Sequence, residues 1–463
     1  MSIINNILSS LPEVKAPKQK NRPFKEKLKW TLIILVAFFI LSVIPLYGLG
    51  ENGLARFEQL SIILGASFGS ILSLGIGPIV TASIVLQLLA GSGILKMDLT
   101  THEGRAFFQG LQKFAAIFFI IFEGAVYVFM GGLAPDPALR GTPAYFSFQI
   151  ILVLQLIIGG LLVLFMDEVV QKWGFGSGVS LFIAGGVAAE IMIRAFSPLN
   201  SVGQWAFGSG QPPIGAFIVF FTSLLAGAPK DAVIAMSAII ATVVVFVISV
   251  YAQAMKVEIP LSFGRVRGFG VRWPLNFLYT SNIPVILIAA LLANVQLAGG
   301  LLQSWGLISS TAANELTLWV SGPTIITNLL TGSFIWLDLL RALVYMIILA
   351  LGSLIFSIFW VKTAGQDAAS LAKQIRSSGL SIAGFRTDER ILEKVLDRYI
   401  FPLTVMGGLF IGILAASADL LGALSRGTGI LLAVMIIYKL YEDIAKHHMM
   451  DMHPAMKKIM GGS

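Results

Sequence analysis

Long apolar stretches alternate with shorter polar segments along most of the chain, from Trp30 to Tyr441. A helix that crosses a lipid bilayer needs about 20 predominantly apolar residues. The pattern therefore predicts an all-α polytopic membrane protein with ten transmembrane helices and no large soluble domain. The predicted spans are 30–48, 71–91, 111–132, 146–166, 176–196, 232–254, 277–298, 337–361, 399–418 and 427–441.

The stretch from Leu60 to Gly93 does not fit a simple span, because it contains 34 residues without a charged side chain. It is too long for one span and too short for two. Glycines and serines interrupt its first part, and non-helical backbone at membrane depth is tolerated only inside protein or beside a cavity. We interpret 57–70 as a short re-entrant helix that returns near Gly75 and Pro78. The alternative is one long, tilted and kinked second helix.

Unusual features recur at matching positions in the first five and the last five spans. Span 2 contains Gly75-Ile76-Gly77-Pro78, and span 7 contains Asn282-Ile283-Pro284. Span 5 opens with Gly176-Ser177-Gly178, and span 10 opens with Gly427-Thr428-Gly429. Two halves of five spans must have opposite topology, so the pattern predicts an inverted repeat with a pathway between the halves. The alternative is a chance match, since Gly and Pro are common in membrane helices.

Composition and charge agree with a membrane protein and predict its orientation. Hydrophobic residues make up 56% of the chain and charged residues 12%, about half the charged fraction of a soluble domain. The side that holds the N-terminus carries 26 of the 32 Lys and Arg residues. The positive-inside rule therefore places both termini in the cytoplasm. The opposite side carries Arg56, Arg140, Arg194, Lys230, Arg341 and Arg426.

The predicted spans divide the chain into four regions. A basic cytoplasmic tail (1–29) precedes an N-terminal half (30–205), a C-terminal half (206–443) and a second cytoplasmic tail (444–463). The C-terminal half contains two cytoplasmic loops, 256–276 and 362–398, which are longer than a chain reversal needs. Loops of this length are uncommon unless they are functional or disordered. Their basic residues either set the topology or dock a partner.

The sequence lacks the residues that most catalytic or metal centres need inside a membrane. There is no cysteine, and the four histidines lie outside the predicted spans. We therefore expect no catalytic residue, no metal and no cofactor. Ionisable side chains within spans are a functional signal, and Glu123 and Glu190 are the main cases. Arg194 lies one helical turn after Glu190 and predicts a local ion pair, whereas Glu123 has no such neighbour.

Five short stretches carry a resemblance to a known family. They are Leu74-Gly75-Ile76-Gly77-Pro78-Ile79-Val80-Thr81-Ala82, Gly176-Ser177-Gly178, Val257-Glu258-Ile259-Pro260, Ser281-Asn282-Ile283-Pro284-Val285-Ile286 and Tyr399-Ile400-Phe401-Pro402-Leu403-Thr404-Val405-Met406. In order and spacing they resemble the SecY family of protein-export channels, and the archaeal members most of all. The resemblance implies ten spans in two inverted five-helix halves around a central hourglass pore, with a short re-entrant plug helix.

The resemblance also implies roles for particular residues. A ring of apolar side chains would form the pore constriction: Ile76, Val80, Val179, Ile183, Ile286 and Leu432. Residues 57–70 would be a plug on the external side, with Phe57, Leu60, Ile63, Leu64, Gly65, Ser67 and Gly69 as its characteristic members. A lateral gate would open between spans 2 and 3 and spans 7 and 8, with the polar residues Gln87, Glu123 and Asn282 along it. The ribosome or a motor would dock on Arg265, Arg267 and Arg386.

By the same resemblance, the chain would be a passive channel subunit of the cell membrane that translocates unfolded polypeptides and inserts membrane proteins laterally. Its implied partners are a one-helix SecE-type (γ) subunit, a small β subunit, and a translating ribosome or cytosolic motor. Signal peptides, nascent polypeptides and membrane lipid would be its other contacts. The alternative function is an inverted-repeat secondary transporter of a small solute, although such a protein usually has more carboxylates along its spans.

Overall fold

The structure is a computed structural model that describes residues 11–17, 23–50, 69–91, 94, 101–129, 131–200, 205–207, 212–263, 270–280, 283–304, 306–377, 380–382 and 389–452. Each of the ten predicted spans corresponds to a helix. These helices are α1 (Phe24–Val43), α2 (Gly77–Gly91), α3 (His102–Phe129), α4 (Pro143–Trp173), α5 (Gly178–Phe196), α7 (Pro229–Ala254), α8 (Ile283–Ser304), α11 (Trp336–Thr363), α13 (Glu389–Leu420) and α14 (Gly427–Met452).

Within the described residues, seven of these helices are long and apolar enough on their own to cross a membrane: α3, α4, α5, α7, α8, α11 and α13. The other three, α1, α2 and α14, are too short or too highly charged to meet this condition. Helix α2 has only 15 residues, whereas charged residues lie near the start of α1 and in the second half of α14. Four shorter helices connect the spans: α6 (Ala216–Leu225), α9 (Ser310–Ser321), α10 (Ile325–Thr331) and α12 (Ala368–Ser377).

A small β-sheet, which the sequence analysis did not predict, lies at one end of the helix bundle. Strand β1 (Lys256–Phe263) pairs antiparallel with β2 (Gly270–Asn276) on one side and with β3 (Leu380–Ile382) on the other. Buried residues of the sheet, Ile259 and Leu275, join α12 and the start of α13 in a separate apolar cluster. The two long loops therefore fold together into one unit outside the bundle. We call this end of the bundle the sheet side.

The chain before α1 also lies at the sheet side. Residues 11–17 run beside the end of α4, where the backbone N–H of Val14 donates to Glu168 Oε2 at 2.9 Å. The indole of Trp173 donates to the carbonyl of Lys15 at 3.0 Å. Lys172 bonds Glu13, and this contact lowers the pKa of the Glu13 carboxyl below its ordinary value. These contacts fix the segment against the end of α4.

The two five-span halves meet along two lines. On one line, α2 of the first half contacts α8 and α11 of the second half. On the other line, α1 and α5 contact α14. Buried side chains from both halves form one continuous apolar cluster between these lines. The proline signals that matched in the sequence, Pro78 and Pro284, both lie in the first turn of their helices, where proline is favoured.

Span 2 begins later than the sequence analysis predicted. Its helix starts at Gly77, and residues 71–76 form turns in place of the helix predicted from residue 71. Gly75 has a positive φ of 54°, which a continuing α-helix does not allow. The hydroxyl of Ser70 also accepts from the backbone N–H of Leu72 at 3.1 Å, so a side chain competes locally with the helical pattern. The alternative of one long kinked helix is therefore wrong for this segment.

Close packing against α4 holds these turns in the interior. Leu72, Leu74 and Ile76 are each only 1% exposed. The backbone of Ile71 lies directly against Gly159 of α4, where a side chain would overlap the Ile71 carbonyl oxygen. The non-helical backbone at this depth is thus buried in protein, which is the condition under which a membrane interior tolerates it.

Candidate pore and lateral gate

A cavity of about 520 Å³ enters the bundle from the sheet side. Side chains from α2, α3, α4, α5, α8, α11 and α14 line it, so both halves contribute. Its walls carry uncharged amides, among them Gln87, Gln109, Gln112 and Gln171. Apolar side chains from both halves also line the cavity, among them Val80, Val179 and Ile286. We call this apolar part of the lining the cavity floor.

The six residues assigned to the pore ring lie in one continuous apolar cluster. Ile76, Val80, Ile183 and Leu432 are between 1% and 5% exposed, and Val179 and Ile286 are partly buried against them. They come from the turn before α2 and from α2, α5, α8 and α14. The structure thus brings together four segments that are far apart in sequence. Their role as a constriction stays a prediction.

The line between α2 and α8 contains a polar contact that spans the two halves. Asn294 Nδ2 of α8 donates to Thr81 Oγ1 of α2 at 3.2 Å. The Thr81 hydroxyl in turn donates to the carbonyl of Gly77 at 3.0 Å. Glu123 of α3, which is partly buried, interacts with the same hydroxyl. One of the predicted gate residues therefore lies beside a hydrogen bond that joins α2 to α8.

Of the other two predicted gate residues, the structure describes Gln87 but not Asn282. Gln87 of α2 is 5% exposed and lines the cavity, and among the described residues none donates a hydrogen bond to its Oε1 atom. A buried amide without a donor is costly, and its position beside the cavity makes it available to an occupant. Asn282 lies outside the described residues. Sequence reasoning missed the pairing of Thr81 with Asn294, because the two residues lie 213 positions apart in the chain.

Most residues of the predicted plug and docking surface lie outside the described part of the chain. For the plug these are Phe57, Leu60, Ile63, Leu64, Gly65 and Ser67; Gly69 is described and has a positive φ of 86°. For docking they are Arg265, Arg267 and Arg386. Strands β1 and β2 flank Arg265 and Arg267, and β3 precedes Arg386. Leu261 of β1 pairs with Ile382 of β3. Both arginine-bearing segments therefore extend from one sheet.

The predicted ion pair within α5 is confirmed. Arg194 Nε lies 2.8 Å from Glu190 Oε1. The hydroxyl of Ser425 also donates to Glu190 Oε2 at 2.8 Å, which joins α5 to the segment before α14. Glu190 therefore has a structural explanation. Across the described residues, no group of three or more His, Asp or Glu side chains is arranged to hold a metal ion.

Comparison with known proteins identifies the family. The family model described as SecY matches residues 70–441, and the model described as the plug domain of Sec61p matches residues 36–69. The chain is 44% identical to the protein translocase subunit SecY of Methanothermobacter thermautotrophicus over 98% of both chains. It is 42% identical to the subunit of the same name from Pyrococcus furiosus over 97% of both chains.

Solved structures agree with the sequence relatives. The structure described as "The structure of a protein conducting channel" superposes with a TM-score of 0.80 at 39% identity, over 98% of this chain and 99% of that one. "Sec61 in the Canine ribosome-channel complex from the endoplasmic reticulum" superposes with a TM-score of 0.78 at the same identity and coverage. The ten-span architecture is therefore confirmed, and the chain belongs to the SecY family.

Proposed function

We propose that this chain is the channel-forming subunit of a protein translocon, a passive pore through which unfolded polypeptides cross the membrane. The cavity carries this conclusion, because helices of both halves line it and its apolar floor belongs to the cluster that the two halves share. The relatives are translocase subunits and the structural neighbours include a protein-conducting channel. The alternative of a small-solute transporter has no such support.

The apolar floor accounts for passage that ignores sequence. A ring of aliphatic side chains offers a passing polypeptide no hydrogen bonds, so no sequence is held more tightly than another. When the channel is empty, the same side chains repel water, and a narrow apolar constriction closes to ions by dewetting. The six ring residues would therefore act as a seal around the chain in transit and as a barrier between transits.

The contact between Thr81 and Asn294 suits a gate that opens sideways. A single hydrogen bond between membrane helices contributes about 0.6 kcal/mol on average, so it holds the halves in register without locking them. Separation of α2 from α8 would expose the cavity to lipid and release an apolar segment. Residues 57–70 would form the plug that blocks the external mouth, and the match to a plug domain over residues 36–69 supports this.

The partners and location follow from the relatives. One structural neighbour is part of a ribosome-channel complex, and we propose that a translating ribosome or a cytosolic motor docks at the sheet side. A SecE-type (γ) subunit and a small β subunit complete the complex. We place the chain in the cell membrane with both termini in the cytoplasm, because the sheet side carries most of the Lys and Arg residues. It supplies no catalytic chemistry, so its partner provides the driving force.

Site-specific crosslinking tests the proposed function. The chain has no cysteine, so one introduced thiol is unique. Val80→Cys and Val179→Cys, both at the cavity floor, are expected to form disulfides with a stalled secretory polypeptide that carries one cysteine. The measurement is the crosslinked yield in the assembled translocon.

A lipid-facing position provides the control. Val243 of α7 is 55% exposed on the outside of the bundle, and Val243→Cys is expected to give much less crosslinked product than either cavity position. Equal yields at all three positions, or no product at Val80 and Val179, would show that polypeptides do not pass between the halves.

Charge reversal tests the docking surface. Arginine binds RNA phosphates and acidic protein surfaces through its charge and planar fork. The double variant Arg265→Glu and Arg386→Glu is expected to weaken ribosome binding about tenfold at low salt, with a smaller difference as salt rises. Binding is measured by cosedimentation of reconstituted vesicles with ribosomes.

The matched control reverses two basic residues on the opposite side. Arg140 and Lys230 are exposed, and Arg140→Glu with Lys230→Glu gives the same change in net charge. This variant is expected to bind ribosomes as the unaltered protein does. If both double variants lose affinity equally, net charge alone explains the loss and the assignment of the docking residues is wrong.

A further inference from the structure

Two helices that carry pore-ring residues begin in the same unusual way. Helix α5 carries Val179 and Ile183 and begins at Gly178, and α14 carries Leu432 and begins at Gly427. The span before each helix carries an aspartate near that start: Asp167 on α4 and Asp419 on α13. The first turn of a helix has backbone N–H groups without partners inside the helix. The two aspartates supply acceptors for them.

Asp167 makes the first of these contacts. The backbone N–H of Val179 donates to Asp167 Oδ1 at 2.9 Å, and the Ser177 hydroxyl lies 3.4 Å from the same atom. Gln171 Nε2 donates to Oδ2 at 2.7 Å. Asp167 is only 6% exposed, so its carboxyl group is held on both oxygens. The residue whose N–H it binds, Val179, is itself a member of the proposed ring.

Asp419 makes the corresponding contact in the second half. The backbone N–H of Gly427 donates to Asp419 Oδ1 at 2.5 Å. The hydroxyl of Tyr345, on α11, donates to Oδ2 at 2.6 Å. As at Asp167, one oxygen binds the start of the helix and the other is fixed by a neighbouring side chain. Leu432 follows in the second turn of the same helix.

The glycines of the two starts explain why the repeat was visible in the sequence. A Cβ atom at Gly178 would lie 2.5 Å from Asp167 Cα, and one at Gly427 would overlap the side chain of Ala418. Each helix therefore begins pressed against the backbone of the preceding span. Only glycine allows the approach that brings the carboxylate within hydrogen-bond reach.

The two aspartates border different cavities. Asp167 lines the cavity of about 520 Å³ at the sheet side. Asp419 lines a second cavity of about 710 Å³, together with residues of α9, α10 and the start of α11. The two cavities have no lining residue in common. Corresponding residues of an inverted repeat are expected to lie at opposite ends, and these two do.

We propose that Asp167 and Asp419 are positioning residues that set the depth and rotation of α5 and α14, and thereby place Val179, Ile183 and Leu432 in the pore ring. A carboxylate near a helix N-terminus also interacts favourably with the helix dipole. The inference rests on the proposed channel function, because the pore ring that the aspartates position is part of that proposed channel. Neither aspartate contacts the polypeptide in this proposal.

Thiol reactivity tests the placement directly. Ile183→Cys is the single thiol of the full chain in its assembled translocon, and it is expected to react slowly with a water-soluble methanethiosulfonate, because Ile183 is 3% exposed. Adding Asp167→Ala is expected to raise the rate about fivefold, the population shift that loss of one helix cap produces. Asp167→Asn keeps an acceptor oxygen and is expected to restore the slow rate.

Two references separate positioning from general destabilisation. Leu152→Cys of α4 is fully buried away from the ring, and its rate is expected to stay unchanged in the Asp167→Ala background. Asp136 accepts from the N–H of Ala138 in a short 3-10 helix, so Asp136→Ala removes a comparable cap elsewhere. Equal acceleration at Leu152→Cys and Ile183→Cys, or the same effect from Asp136→Ala, would overturn the proposal.

The second half provides an independent measurement. Leu432→Cys, at a position 5% exposed, is expected to accelerate with Asp419→Ala and to return to the slow rate with Asp419→Asn. If an alanine variant does not fold, the glutamate variant replaces it and is expected to shift the rate in the same direction. Unchanged rates at both ring positions would overturn the proposal. Because the assay needs no translocation, crosslinking at Val80 and Val179 still decides the channel function separately.

Discussion

Ile286→Asn is expected to raise the ion conductance of vesicles that contain the protein by about tenfold or more. Ile286 lies at the floor of the cavity, within the apolar cluster between the halves. A side-chain amide there favours water, and leaving such a group without hydrogen bonds costs about 1–3 kcal/mol in proteins. Since 1.4 kcal/mol corresponds to a tenfold change in a population, one amide is enough to stabilise a wet pore.

The conductance is best measured in two backgrounds, with a potassium-sensitive dye and no translocating polypeptide. One background is the full chain, and the other lacks 57–67, most of the proposed plug, because either barrier can hold back ions. Ile286→Val keeps the position apolar and is expected to match the unaltered protein in both. No increase for Ile286→Asn in either background would show that the apolar cluster does not seal the channel.

The sequence predicts the spans well because each is specified locally. The prediction for span 5 was 176–196, and its helix runs from Gly178 to Phe196. Glycine and proline signals set the starts of α2, α5, α8 and α14, where the structure also begins its helices. The predicted bounds of spans 2 and 7 began six residues too early, at 71 and 277, whereas their helices begin at Gly77 and Ile283. In span 2, a positive φ at Gly75 and the hydroxyl of Ser70 outweigh the apolar pattern.

Contacts between distant segments are what the sequence does not show. The bond between Thr81 and Asn294 joins residues 213 positions apart, and neither residue is charged. The pairing of β1 with β3 brings together Leu261 and Ile382, from loops that a whole pair of spans separates. Asp167 was overlooked because it lies 12 residues before Val179, whose N–H it binds, and this is too far for a local capping signal. In each case, the sequence does not show which distant residue will lie next to the one in question.

The roles of the predicted plug and docking residues also go beyond what the chain's own pattern shows. Their assignments depend on the resemblance, and the match to a plug domain over residues 36–69 supports the segment without assigning its individual side chains. For Arg265 and Arg386, the sheet supplies a structural reason for joint action, because β1 and β3 lead into both segments. Their individual roles stay predictions that charge reversal tests.

Gly159→Ala is expected to destabilise the protein by about 3 kcal/mol, the upper range for an overpacked core. The new methyl group would overlap the carbonyl oxygen of Ile71, and backbone cannot rotate away as a side chain can. Helix α4 would have to separate from the turns that lead to Ile76 in the proposed ring.

Gly124→Ala in α3 is the control, because its methyl group would lie 3.6 Å from Leu156 Cβ, an ordinary contact. Alanine exceeds glycine in helix propensity by about 1 kcal/mol, so this control is expected to be neutral or stabilising. The midpoint of thermal unfolding of the detergent-solubilised protein compares the two, and equal midpoints would contradict the close approach of α4 to Ile71.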